Sequence, residues 1–161
     1  MTPVHLRPDG RGTVRLNSPD PFVPPAVLFD YLRTEYDIRA ALMGLRLVRT
    51  IAAQPALQPY VVNEISPGID VQSDDALLDY VRHTGVSNQH PTSSCAMGVG
   101  PNSVVDPRLR VHGIDGLRVA DASIMPVVVG GNTNAPTIMI GEKAASMILE
   151  DAKAGAPAGV G

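Results

Sequence analysis

The stretch SNQHPTSSCAMG, residues 87–98, places a histidine directly before a proline and the chain's single cysteine shortly after it. A residue that precedes proline is pushed out of the helical region, so Pro91 holds His90 in extended backbone and limits where its ring can point. The small polar neighbours Thr92, Ser93 and Ser94 leave space around it. An imidazole titrates near neutrality, which makes a fixed one a natural general base, although on this stretch alone a structural histidine outweighs a catalytic one. The other histidines read as structural: His83 lies where a helix is expected to stop, His112 in a polar turn and His5 near a chain end. One cysteine beside one histidine lacks the multi-ligand spacing of a zinc site, so no metal is expected, and Cys95 reads as a small buried apolar residue. A serine hydrolase is excluded because no Gly-x-Ser-x-Gly elbow is present. GVGPNS carries two glycines but runs into Pro101 instead of a helix, so it is not a dinucleotide fingerprint.

The second stretch with chemical content is GGNTNAPTIMIGEKA, residues 130–144. A Gly-Gly break followed by Asn, Thr and Asn at a helix start leaves amide N–H groups unpaired and aimed outward, with partial positive charge behind them. Such an end stabilises an anion or a ring that gains negative charge; the plainer reading is that Asn134 caps the helix.

These stretches need elements to position them. GTVRLNS alternates Val14 and Leu16 against Thr13 and Arg15 between two turn-rich segments, as a short strand does. From Asp37 to about Ala53, the residues Ile38, Leu42, Leu45, Val48 and Ala52 recur at helical spacing, with Asp37 as cap and Pro55 forbidding continuation. A second helix is expected after Ser73, with Asp74 and Asp75 at its positive end, Leu77, Leu78 and Val81 on the buried side, and an end near His83 or Gly85. Two alternations, 109–111 and 117–119, flank HGIDG, whose Asp115-Gly116 pair suits a turn with positive φ; they form either a hairpin or two strands with different partners. A last helix is expected from Asn134 to Asp151 with Ile138, Met139, Ala145 and Ile148 buried, and a mobile tail over 152–161.

The whole chain has 161 residues, 44 % of them hydrophobic, enough for a core. Its net charge of −3, with the Lys and Arg residues scattered, gives no footprint for nucleic acid or an anionic membrane surface. No apolar run approaches the ~18 residues of a spanning helix, so the chain reads as soluble. The lone cysteine excludes an internal disulfide and fits a reducing compartment, which favours the cytoplasm. Fifteen glycines and fifteen prolines argue against a simple helix bundle.

Taken in order, HPTSSCAMG, VVDPRLRVHGIDGLRVADASIMP and GNTNAPTIMIGEKAA closely resemble the C-terminal part of the glucose-methanol-choline (GMC) family of FAD-dependent alcohol oxidoreductases. RGTVRLNSPDP resembles the place where that region begins, so the likeness covers the chain to about Asp151. The resemblance implies an α+β fold: residues 1–95 would be a substrate-binding region of sheet and helices, and 96–151 the strand and terminal helix that complete the FAD-binding domain. It implies that His90 takes the hydroxyl proton of a small alcohol while hydride leaves the adjacent carbon for the flavin. Asn134 matches a second active-site position occupied by His or Asn; a carboxamide is no useful base, so its expected role is to hydrogen-bond the substrate oxygen. Asp121 and Ala122 match a segment whose backbone approaches FAD, and Asn134, Ala135 and Thr137 begin the helix aimed at the flavin. Gln89 stands where a tyrosine often precedes the histidine, and TSS replaces a more usual Val-Gly-Thr; both alter the pocket wall and hence the substrate.

The family's Gly-rich nucleotide-binding turn has no counterpart here, so an N-terminal FAD-binding part, on a longer chain or a companion polypeptide, is the expected partner. Alone, the chain is expected to be inactive and to expose apolar surface and sheet edges. Two other functions remain open at this level: a non-catalytic binding or assembly fragment, and a cyanohydrin lyase on the same scaffold.

Overall fold

The computed structural model describes residues 1–155, which fall into two compact units, Met1–Asn88 and a second that begins at Gln89. In the first, β1 (Thr13–Arg15) pairs antiparallel with β2 (Ala26–Leu28), Val14 opposite Val27. The strand expected at GTVRLNS is present, but the side carrying Val14 and Leu16 is exposed, because a ribbon of two strands has no layer of its own to bury it.

Helix α1 spans Glu35–Ala52 and α2 spans Asp74–Thr84; the two pack together, with Leu42 and Leu77 as their buried leucines. The expected apolar face of α1 is the inward one, and Ser73 caps α2 by accepting the Ala76 N–H. The cap of α1 is Thr34 instead of Asp37: its hydroxyl accepts the Asp37 N–H at 3.1 Å. Asp37 is thereby free for a longer reach. Only 3 % exposed, its carboxylate accepts the N–H groups of Asp9 and Gly10, each at 2.8 Å, and lies 3.6 Å from His5 Nδ1. A Cβ on residue 10 would meet Asp37 Oδ2 at 2.9 Å, so glycine permits this close approach. Arg49, in the last turn of α1, grips Glu64 through Nε and Nη2 and also donates to the carbonyls of Gly68 and Val71, tying the 64–71 loop to the helix. The Arg49 guanidinium holds the Glu64 carboxyl below its ordinary value.

The second unit is an irregular array of short segments joined by single bridges. Residues 95–97 donate N–H groups to Ser123 and Ile124 on one side and bridge to 104–105 on the other. Val105 then bridges to Val111, and Arg110 to Arg118. The 109–119 segment is therefore a hairpin, closed by Val111 N–H to Leu117 and Val119 N–H to Leu109, with Gly116 at φ +75° in its turn.

Helix α3, Asn134–Gly155, covers this array. Ile140 and Ala144 join Val105, Leu109, Ile124 and Met125 in the core, with Met147 packed against it. The expected buried set was different: Ile138, Met139, Ala145 and Ile148 all lie on the exposed side. α3 is apolar over most of its circumference, so hydropathy does not single out the face that meets the array. The helix also runs four residues past Asp151, through 152–155 of the expected tail; the remainder of that tail, 156–161, lies outside the described residues.

Near its far end α3 is held by charge. Asp151 receives guanidinium bonds from Arg108 at 2.8 Å and from Arg110 and Arg118, while Arg108 also reaches Glu150 and the Met147 carbonyl. The Arg110 guanidinium first, then Arg118 and Arg108, bring the Asp151 carboxyl down from 3.8 to about 2.

Two outcomes follow. Burial raises the Asp37 carboxyl, but the hydrogen bonds from Asp9, Thr34 and Gly10 prevail and hold it below its ordinary value. Asp37→Ala is expected to cost about 2 kcal/mol and to accelerate amide exchange at Asp9 and Gly10; unchanged protection there would refute the clasp. For Asp151, a lowered native pKa means the carboxylate's stabilisation is complete above the unfolded value of 3.8 and is lost as pH falls through about 2. Asp151→Asn should lower the melting temperature at neutral pH and flatten the stability profile between those two values, as thermal melts across the acid range will read.

Candidate active site

His90 opens the second unit with its backbone fixed from both sides. Gln89 at φ +58° and Ser93 at φ +72° are left-handed without being glycine, and Pro91 restricts the residue between them. Such residues cost of order 1–3 kcal/mol each and persist where the surroundings over-determine them. The ring is half-buried, and its Nδ1 lies 2.9 Å from the Thr133 hydroxyl, 43 residues away in sequence.

Thr133 is the residue on which α3 starts. Its carbonyl accepts the Thr137 N–H at 3.0 Å and the Thr137 hydroxyl at 2.6 Å, so Thr133 occupies the half-in position expected of Asn134. Asn134 is instead the first helical residue, and its side chain is exposed beside Ala135. Pro136 has no N–H and that of Thr137 is taken, which leaves the N–H groups of Asn134 and Ala135 at the open, positive end of the helix. Thus the imidazole and the helix start, read separately from sequence, meet through a threonine the sequence reading did not single out. Its signal was present in the GNTNAPT run, but nothing local says which of three polar residues faces a histidine so distant.

Asp121 and Ala122 belong to the same region. Asp121 is exposed and accepts the Ser123 N–H at 2.7 Å, capping a single 3₁₀ turn, Ala122–Ile124. The carbonyls of Ser123 and Ile124 accept the N–H groups of Cys95 and Met97, which ties this turn to the segment that follows His90. The remaining histidines have local partners: His83 Nδ1–H donates to the Asp79 carbonyl at 2.8 Å and His112 Nε2–H to the Gly98 carbonyl at 3.0 Å. His5, read as bland, packs on Tyr36 with ring centroids 5.4 Å apart, beside Asp37. An apolar groove of about 170 Å³, lined by residues such as Met97, Leu109, Ile124, Met139 and Met147, contains neither His90 nor Thr133 nor Asn134. Among the described residues, no group of three or more His, Cys, Asp or Glu is placed to hold a metal, and no helix is long and apolar enough to cross a membrane.

The chain is thus α+β, with an extended histidine bonded to the residue on which its last helix starts. Residues 8–141 match the family model described as GMC oxidoreductase, and the chain belongs to that family. It is 52 % identical over 143 residues to an oxygen-dependent choline dehydrogenase of Pseudomonas savastanoi pv. phaseolicola, a match covering 89 % of this chain and 25 % of that protein. Among solved structures it is similar to a fungal aryl-alcohol oxidase, with TM-score 0.80, 39 % identity, and 91 % and 24 % of the two chains covered. It is also similar to an FAD-dependent oxidoreductase from Chaetomium thermophilum, with TM-score 0.85, 28 % identity and coverages of 92 % and 26 %. The chain spans about a quarter of the length of the curated relatives it matches.

Proposed function

We propose that this chain supplies the C-terminal part of an FAD-dependent alcohol oxidoreductase, with His90 accepting the hydroxyl proton and Asn134 hydrogen-bonding the same oxygen. The observation that carries the reading is the 2.9 Å contact between His90 Nδ1 and Thr133, which sets the imidazole beside the open end of α3. FAD, when bound, supplies the acceptor for the hydride that leaves the alcohol carbon. The handling of the hydroxyl proton falls to residues of this chain. One ring nitrogen of His90 is engaged by protein, and the other is left to face the alcohol. The exposed Asn134 carboxamide donates to the oxygen as its proton departs, and the alcohol becomes a carbonyl compound.

The cofactor fits this place on a feature of the fold. The N–H groups of Asn134 and Ala135 stand at the positive end of a 22-residue helix, and that end favours a ring gaining electron density. Thr137 secures the start of the helix, and Asp121 shapes the turn at Ala122 whose backbone would lie along FAD. In the complete protein we assign 1–95 to the substrate-binding region and 96–151 to the segment that completes the FAD-binding domain. The partner is then an N-terminal FAD-binding part, which also gives cover to the apolar side of α3. The relatives named choline dehydrogenase make choline the first alcohol to test.

In the FAD-loaded protein carrying this chain, His90→Ala should slow bleaching of the flavin absorbance by alcohol by about 100-fold or more. Bleaching by the unaltered protein separates the reading from a cyanohydrin lyase. Bleaching of the His90→Ala variant at the unaltered rate sinks the assignment of the base.

A further inference from the structure

We propose that Thr133 is a positioning residue that selects the ring tautomer of His90, accepting the Nδ1 hydrogen so that Nε2 is left as the bare nitrogen that takes the proton. This rests on the reading of His90 as base. A neutral imidazole has one N–H and one lone pair, and which nitrogen holds which is set by the bond its partner nitrogen makes. Nδ1 is occupied by Thr133 Oγ1 at 2.9 Å, so Nε2 is the nitrogen left for a substrate. If the hydroxyl donated to Nδ1, the ring hydrogen would lie on Nε2 and the ring could not take a proton there. A working base therefore requires the opposite direction, Nδ1–H to Oγ1, which a hydroxyl accommodates by rotation. The same bond serves the product of the transfer. Once the alcohol proton is on Nε2, Nδ1–H still donates to Oγ1 and the bond becomes charge-assisted.

The surroundings fix both partners of that bond. Thr133 is anchored through its carbonyl by the Thr137 N–H and hydroxyl, and α3 is seated in the core through Ile140 and Ala144. On the other side, Gln89 and Ser93 hold left-handed backbone around His90 and Pro91 keeps it extended. The ring is thus held where Thr133 bonds its Nδ1. None of the backbone anchors uses the threonine hydroxyl, so an isosteric change removes the bond and leaves the framework in place.

The test uses the FAD-loaded protein carrying this chain and the variants Thr133→Val, Thr133→Ala, Thr133→Ser and His90→Ala. Thr133→Val and Thr133→Ala should each lower the limiting rate of flavin reduction about 10- to 100-fold with little change in the alcohol concentration giving half that rate. Thr133→Ser, which keeps the hydroxyl, should stay within about threefold of the unaltered protein. A second readout needs no turnover. In ¹⁵N spectra of labelled histidine at about pH 9, where an imidazole is neutral, the resonance missing from His90→Ala should report Nδ1–H in the unaltered protein and in Thr133→Ser. It should shift towards Nε2–H in the valine and alanine variants. Valine and alanine variants that reduce flavin at the unaltered rate, a serine variant slowed as much as they are, or an unchanged His90 spectrum would each overturn the role of Thr133 while leaving His90 as base. A His90→Ala protein that is reduced at the unaltered rate would instead remove the base itself.

Discussion

The second unit depends on one helix stripe. Its short segments are joined by single bridges, and such pairing holds little by itself, because register in short strands is weakly specified without a buried face. Ile140 and Ala144 provide that face, packing where Val105, Leu109, Ile124 and Met125 converge. Burying Ile140 and the larger side chains it meets stabilises by about 1.5–3 kcal/mol each, enough to fix which segments lie together. Once α3 is seated, its start is fixed in space, and the position of Thr133 follows. His90 is placed from the other direction, by Cys95 and Met97 donating to the Ser123 and Ile124 carbonyls beneath the same helix. The site is a consequence of the packing.

Charge completes what packing begins. Near the end of α3 Asp151 gathers three arginines, Arg108 just before the hairpin and Arg110 and Arg118 within it, and Asp106 accepts the N–H groups of Arg108 and Arg110 to shape the loop that presents those two. The helix is thus held by apolar contact along its middle and by ion pairs towards its C-terminal end. Its start is left to the threonine and the histidine. In the first unit the same division recurs: α1 and α2 bury leucines, while Asp37 and Arg49 reach out from α1 to hold segments with no regular structure of their own.

Local features were legible in the sequence, and features made by distant partners were not. Ser73 before two aspartates announced α2, and the spacing of Ile38, Leu42, Leu45 and Val48 gave the inward face of α1. Asp37 misled because a carboxylate near a helix start suits both a cap and a tertiary clasp; Thr34 took the first role and backbone N–H groups 28 and 27 residues away claimed the other. α3 misled for a different reason: nearly every side is apolar, so its pattern carries no phase. The site was legible in parts. His90 before Pro91 and the polar run before α3 each marked a constrained place, yet their meeting through Thr133 is a tertiary fact without a sequence period.

The exposed side of α3 has its own logic. A helix apolar around most of its circumference is built to be buried on more than one side, and here only the Ile140–Ala144 side is covered. Ile138, Met139, Ile148 and Leu149 remain exposed on a helix whose own fold is complete. An apolar surface held on a rigid element costs solubility and contributes nothing to the unit that carries it, so its selection must come from a second layer packed against it. The same reasoning applies to the unlayered β1–β2 ribbon, with Val14 and Leu16 outward. The chain spans a quarter of the length of its curated relatives, and under the proposed function these exposed apolar faces are where the remaining part would pack. If the proposed site is the working one, covering this face would place the α3 start away from water, as a hydride-transfer reaction requires.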